Sequence, residues 1–394
     1  MFSKIKIFNG KVITPIAILE NASVLVSEGK ILGIEEGNPN FSEALEIDAK
    51  GQYISPGFMD IHLHGGGGSD FMDGTAEAFL IIAEIHAKYG TTAMYPTTLT
   101  AEPEDLVATL DAFETANKKN TKGATLLGMH LEGPYFSMNQ KGAQDPRFIR
   151  NPDKSEYENL IKNYKTISRW SAAPELPGAI EFGKFLVENN ILPAIAHTDA
   201  IYEEAEEAFR NGYTLATHFY SAMLGVTRRN AYRYAGVVEA AYLIDDMDVE
   251  IIADGAHLPA PLLKLIYKIK GPYRIALITD AMRAAAMPEG KSILGGIKNG
   301  VEVIVEDGVA KMPDKSSFAG SVATFDRLVR TMLSLTEAPL LDIIMMASLT
   351  PAKIMKVQDR KGSLEMGKDA DIIIFDNDVN IQMTMVEGRI IYQL

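Results

Sequence analysis

The chain has no cysteine, which excludes disulfides, thiol nucleophiles and Cys-ligated zinc or iron–sulfur centres. Any bound metal must rest on His, Asp or Glu. Positive charge is also scarce: 38 Lys and Arg against 52 Asp and Glu leave a net charge of -14. There is no basic footprint for nucleic acid or an anionic membrane, and an anionic ligand needs a locally positive pocket. No apolar run is long enough to span a bilayer, and the start, Met1-Phe2-Ser3-Lys4-Ile5-Lys6-Ile7, lacks the apolar stretch and small-residue cleavage site of a secretory signal. The default expectation is a cytoplasmic enzyme without nucleic-acid or membrane partners. Solenoid repeats and low-complexity segments are missing too.

What is present suits a large soluble fold. The 394 residues are 47% apolar and 23% charged, enough to bury a sizeable core, and exceed one domain of roughly 150 residues. The opening residues read as short strands at 5–8, 23–26, 30–34 and 44–47, broken by Gly turns. From Gly57 onward, short apolar runs alternate with amphipathic stretches, the pattern of βα units. Strands are expected at 58–62, 92–96, 126–131, 168–172, 193–197, 214–218, 250–253 and 274–279, which makes eight. Helices fit between them at 75–88, 103–116, 179–189, 202–211 and 259–269, so the count predicts a (β/α)8 barrel with an ill-defined sixth connection. A hairpin excursion is expected over 291–312, then helices over 322–335 and 340–348. The tail returns to strands that can pair with the N-terminal ones. This divides the chain into a small β module of 1–55 plus 360–394 and a barrel of 56–359.

Seven histidines occur in the chain, and all but His86 fall at or just past the C-terminal end of an expected strand. That rim is where such a barrel builds its active site, because loops and side chains from several strands meet there. His62 and His64 stand two apart, so strand geometry points both the same way. Glu132 ends the third strand, His197 the fifth and His218 the sixth. One carboxylate with two imidazoles leaves an open position for water, as catalytic zinc sites do. Asp280 ends the eighth strand and reads as a general base: a divalent ion lowers the pKa of its water to about 7, and a nearby carboxylate relays the proton. His86 instead shares a helix face with Phe79, Ile82 and Ala83 and reads as a packed histidine, while His130 is either a support for the site or interior filling.

These residues sit in strings that resemble a known family. Gly57-Phe58-Met59-Asp60-Ile61-His62-Leu63-His64-Gly65, with the strand-end Glu, His, His and Asp, is similar to the amidohydrolase superfamily. His130-Leu131-Glu132-Gly133-Pro134, Ala216-Thr217-His218-Phe219-Tyr220-Ser221-Ala222-Met223, Ile252-Ala253-Asp254-Gly255-Ala256-His257, Thr279-Asp280-Ala281 and Phe318-Ala319-Gly320-Ser321 narrow the resemblance to the N-acetylglucosamine-6-phosphate deacetylase family. The resemblance implies a (β/α)8 barrel with a small β-sandwich built from both termini, and hydrolysis of a 2-acetamido group to an amine and acetate. It implies metal binding by Glu132, His197 and His218, an acid/base role for Asp280, and a substrate contact for His257. Arg229 matches the family's phosphate-binding arginine, reaching a partner's site in a homodimer; Ala143, Gln144, Ser221 and Ala222 would line the sugar site. His62 and His64 resemble members with two ions, in which Glu132 bridges. Zinc is the first choice, with iron, manganese or cobalt as alternatives.

Two departures stand out. Gln144 occupies the place of a histidine that helps polarise the amide carbonyl, and Ser221 that of an asparagine. They leave open the galactosamine epimer and the need for the 6-phosphate. Two other readings compete: a deaminase or cyclic-amide hydrolase of the same superfamily, and a non-catalytic barrel. The fourth expected strand, Ser168-Arg169-Trp170-Ser171-Ala172, lacks the lysine typical of cyclic-amide hydrolases, and the ligand set is intact.

Overall fold

The computed structural model describes residues 3–394. Its terminal sheet has eight strands and draws on both ends of the chain: Tyr53–Pro56 pairs parallel with Lys4–Ile13 and antiparallel with Ile372–Phe375. Period-2 alternation gives this sheet two apolar faces. Ile372 and Ile374 pack with Ile5, Ile7, Val24 and Ile54 in a core of its own, while Ile373 and Phe375 enter the core of the rest of the protein. The sheet is therefore joined to its neighbour by alternate residues of the same strand.

Between the termini, parallel strands alternate with helices. Phe58–Leu63 pairs with Thr91–Pro96, and a six-stranded run follows in the order Met129–Glu132, Ile167–Ala172, Leu192–Ile195, Leu215–Ala216, Asp248–Ile251 and Ile275–Leu277. A bridge from Thr97 to His130 links the two runs, and the Asp280 N–H donates to the His62 carbonyl at 2.9 Å across the far side. The helices form for local reasons. Ala76–Ala87, for example, starts where the Thr75 hydroxyl accepts the Ala78 N–H at 3.2 Å, and it buries Phe79, Ile82, Ala83 and His86 along one stripe. Among the described residues no helix is long and apolar enough to cross a membrane.

Several expectations need correction. The fifth, sixth and eighth strands end at Ile195, Ala216 and Leu277, short of the histidines and aspartate expected to finish them. The cause is backbone: His197, His218 and Asp280 have φ of 47°, 31° and 47°, left-handed conformations that no strand continues through. The sixth connection is a hairpin, Thr227–Arg229 with Tyr232–Tyr234, followed by the helix Val237–Leu243. The connection from the third to the fourth strand carries the helix Lys154–Asn163, capped by Asp153. The excursion is larger than a hairpin: Gly290–Leu294, Val301–Glu306, Val309–Lys311 and Phe318–Ser321 make a four-stranded antiparallel sheet. Its last strand is tied beside Asp280, the Ser321 N–H donating to the Asp280 carbonyl at 2.8 Å.

An ion pair lies buried among the parallel strands alongside apolar side chains. Arg169 and Glu250 are both 0% exposed. The guanidinium grips both carboxylate oxygens, with Nη2 at 2.9 Å from Oε2, and also donates to Thr217 Oγ1 at 2.8 Å and the Ile61 carbonyl at 3.2 Å. Removing one partner strands the other charge out of water, which costs about 3–5 kcal/mol. Arg169→Met should therefore lower the unfolding free energy of the metal-free protein, read from denaturant melts, by that order, and Arg169→Met with Glu250→Gln should recover part of the loss. A single variant as stable as the parent would show the pair to be dispensable.

Candidate metal centre and catalytic cavity

The rim residues converge. Glu132 Oε1 lies 3.1 Å from His218 Nε2, 3.4 Å from His197 Nε2 and 3.5 Å from His62 Nε2, and Oε2 lies 3.5 Å from His64 Nε2. Asp280 Oδ1 is 3.2 Å from His64 Nε2 and 3.4 Å from His62 Nε2. Two trios of ligand atoms result, His62 with His64 and Glu132, and Glu132 with His197 and His218. They share Glu132.

The donor set fits cations. His62 and His64 bring their Nε2 atoms to 3.3 Å of each other, as His197 and His218 do at 3.2 Å. Imidazole nitrogens facing each other in pairs beside a carboxylate, all buried, direct lone pairs at common points that a divalent ion satisfies. Three rings are oriented from behind: His62 Nδ1 lies 3.3 Å from Glu250 Oε2, His64 Nδ1 3.3 Å from the Thr97 carbonyl, and His197 Nδ1 2.7 Å from the Gln140 carbonyl. Such outer partners fix the tautomer that presents Nε2. The left-handed backbone at His197, His218 and Asp280 aims these side chains inward, strain of order 1 kcal/mol or more each that concentrates at functional positions.

The electrostatics agree. Burial disfavours ionising Glu132, yet the His62, His197 and His218 imidazoles hold its carboxyl well below the usual range. Burial likewise disfavours a charged His64, but the Asp280 hydrogen bond and the Glu132 charge override it and hold His64 up at about 9. His218 is raised against its burial by the Glu132 hydrogen bond. Asp280, also buried, is held down by the fields of His62 and His64. Without an ion, the cluster retains negative carboxylates and recruits protons as its cations.

Above the centre opens a cavity of about 620 Å³, within the size range of small-molecule sites. Glu132, His64, His197, His218 and Asp280 form its floor, and Ala143, Gln144, Ser221, Ala222 and His257 its sides. His62 lies beneath, fully buried. The His257 ring packs at a tilt against Phe318, 4.6 Å between centroids, and its Nδ1 is held 2.8 Å from Asp254 Oδ2. Arg229 is brought neither to this cavity nor to the cluster beneath it. It is exposed on the Thr227–Arg229 strand of the hairpin, its guanidinium over the ring of the half-buried Tyr234 at 5.5 Å. His86 is buried away from the cluster, with Nε2 at 2.9 Å from the Gly65 carbonyl.

Sequence reasoning missed part of the surroundings. Arg169 and Glu250 support the floor, and a charged residue inside an apolar strand was the available signal. His130, left open between two readings, bonds Ser171 Oγ at 2.7 Å and Thr97 Oγ1 at 3.1 Å and packs edge-on against His62 at 4.8 Å. Lys311, Lys315, Ser316 and Ser317 reach the cavity from the four-stranded excursion, and nothing in their local sequence marks them for it.

Comparison with known proteins shows the family. The amidohydrolase family model matches residues 53–391. The N-acetylglucosamine-6-phosphate deacetylase of Lysinibacillus sphaericus is 33% identical, over 94% of this chain and 93% of that one, and the N-acetylgalactosamine-6-phosphate deacetylase of Escherichia coli O157:H7 is 32% identical, over 94% and 95%. Among solved structures, the Pasteurella multocida N-acetylglucosamine-6-phosphate deacetylase superposes with a TM-score of 0.91 at 28% identity, covering 98% of this chain and 99% of that one. A mutant of the Mycobacterium smegmatis enzyme in complex with N-acetyl-D-glucosamine-6-phosphate gives 0.90 at 27% identity, covering 99% and 100%. The chain belongs to the amidohydrolase family and, within it, to the N-acetylglucosamine-6-phosphate deacetylases.

Proposed function

We propose that the protein hydrolyses the 2-acetamido group of N-acetylglucosamine 6-phosphate to glucosamine 6-phosphate and acetate. The observation that carries this reading is the pair of ligand trios sharing Glu132, with Asp280 beside both, on the floor of a cavity walled by His257. In this reading the parallel strands close as a (β/α)8 barrel over 56–359, and residues 1–55 with 360–394 form the smaller β domain. Glu132, His197 and His218 would hold one divalent ion, and His62, His64 and Glu132 a second. Zinc suits these N and O donors first, and iron, manganese or cobalt after it. Such an ion supplies Lewis acidity toward the amide carbonyl and acidifies water.

The chain's own groups do the rest. Asp280 Oδ1, within 3.2–3.4 Å of His64 and His62, accepts a proton from the attacking water and later delivers it to the amide nitrogen. The new bond is carbon to water oxygen, the bond that breaks is carbon to nitrogen, and the proton leaves with the amine. His257, fixed by Asp254, faces the sugar beside Ala143, Ser221 and Ala222. Lys311 and Lys315 line the cavity and are each paired with a carboxylate, Lys311 with Asp307 at 2.7 Å and Glu306 at 3.2 Å and Lys315 with Glu306 at 2.8 Å, so a phosphate would compete with those carboxylates for them. The exposed hairpin carrying Arg229 suits delivery of that guanidinium to a partner's cavity in a homodimer. The similarity to a galactosamine-6-phosphate deacetylase favours that epimer as the second reading.

Acetate release measured on both epimers, with and without 6-phosphate, after reconstitution with zinc or iron, decides the substrate. Release from the phosphorylated glucosamine derivative is expected to dominate; hydrolysis of none of the four would sink the assignment. Asp280→Asn should lower kcat about 10²- to 10⁴-fold while metal content stays that of the parent, and undiminished turnover would remove Asp280 from its role. Arg229→Ala should raise KM for the phosphorylated sugar and leave the free sugar nearly unaffected. Equal losses on both would count against a phosphate contact.

A further inference from the structure

The structure gives the Gln144 amide two committed partners, Thr100 and Glu132. Its Oε1 accepts two hydrogen bonds from one residue, the Thr100 backbone N–H and the Thr100 hydroxyl, both at 2.9 Å. Its Nε2 lies 2.7 Å from Glu132 Oε2. A backbone N–H only donates, so the end of the amide facing Thr100 must be oxygen, and the end facing Glu132 must be the NH2 group. The orientation is settled by chemistry. Gln144 and Thr100 are 6% and 7% exposed, so neither contact competes with bulk water.

We propose that Gln144, held by Thr100, is a positioning residue for the Glu132 carboxylate and sets which of its oxygens faces which histidines. Oε1 faces His62, His197 and His218, and Oε2 faces His64. The terminal torsion of a glutamate is soft and broad, so rotation of the carboxylate needs an outside restraint. Among the described residues, the side-chain partners of these two oxygens are imidazoles and Gln144. Imidazoles that bind ions no longer donate to Glu132. Gln144 is then the protein hydrogen bond that remains on the shared carboxylate.

The surrounding loop supports this use. The Gln140 carbonyl, four residues earlier, orients His197 through Nδ1 at 2.7 Å. Ser137, Asn139 and Gln140 all donate side-chain hydrogen bonds to Asp199, at 2.7, 2.9 and 2.7 Å. One anchored loop thus grips two ligands of the same trio. An amide committed in this way makes ion retention, rather than activation of the substrate carbonyl, the property that depends on it.

The inference rests on reading the Glu132 cluster as a metal centre, and zinc binding without any sugar tests the two separately. The metal-free full-length protein is titrated with zinc against a chromophoric chelator, and bound zinc is counted by elemental analysis. Gln144→Leu should weaken the more labile zinc about 10- to 100-fold, the usual cost of losing an outer partner. Thr100→Val, which keeps the backbone donor and loses the hydroxyl, should give a smaller loss, and Thr100→Ser should restore the parent affinity. Circular dichroism of each metal-free variant shows whether it is folded; if Gln144→Leu is not, the Thr100 pair decides. Parent-like zinc affinity in folded Gln144→Leu, or equal affinities for Thr100→Val and Thr100→Ser, would overturn the positioning role alone. A parent protein that takes up no zinc would overturn the metal centre, and this proposal with it.

Discussion

Two buried carboxylates and four buried imidazoles are packed so that Glu132 has an imidazole nitrogen within 3.5 Å of each of its oxygens, and Asp280 has two within 3.4 Å. So many ionisable groups out of water are unstable unless their charges and lone pairs are matched. Every nearby feature of the fold can be understood as meeting that requirement. The strands are parallel, so their C-terminal ends arrive at one rim. His197, His218 and Asp280 leave their strands in left-handed backbone, which turns the side chains inward instead of letting them alternate along a strand. Beneath them, the Arg169–Glu250 pair brings a carboxylate oxygen to His62 and to the His218 backbone N–H without leaving an unpaired charge.

Much of this was legible because it is written in period and position. Alternation placed the terminal strands, helical stripes placed Ala76–Ala87 and Pro103–Lys119 within a few residues, and the coincidence of histidines with strand ends picked out the cluster before any coordinates. The strand ends were misjudged because an apolar run does not reveal where φ changes sign: Thr217 and His218 look like a continuation of Leu215–Ala216. The Arg169–Glu250 pair was missed because neighbouring residues in sequence cannot show that two charges from different strands meet inside. The excursion is a matter of register, since Phe318–Ser321 returns to pair with Val309–Lys311 across a turn that carries Lys315 to the cavity.

Arg229 shows the opposite limit. Its position after His218 matches a family pattern, yet in one chain the hairpin holds it out in solvent, stacked on Tyr234 and clear of the cavity. A motif match fixes the identity of a residue and not whose site it serves. Gln144 is a milder case of the same kind. Position alone suggested a weaker copy of a histidine facing substrate, whereas its hydrogen bonds run to Thr100 on one side and to Glu132 on the other.

The charge state of the cluster explains why these details matter together. With His64 held up at about 9 and His218 raised, while Glu132 and Asp280 are held down, the metal-free pocket collects protons on the nitrogens that ions would use. A divalent ion must displace such a proton to gain its ligand, so ion affinity rises with pH until the imidazoles are neutral. Protons can shift between nitrogens and tolerate a carboxylate that swivels. Ions held by the two trios would not, because each trio presents a fixed set of ligand atoms. The outer contacts to Glu132, His62 and His197 are therefore the part of the structure that favours cations of fixed position over mobile protons, and through that choice they connect the packing of the loops to the chemistry on the cavity floor.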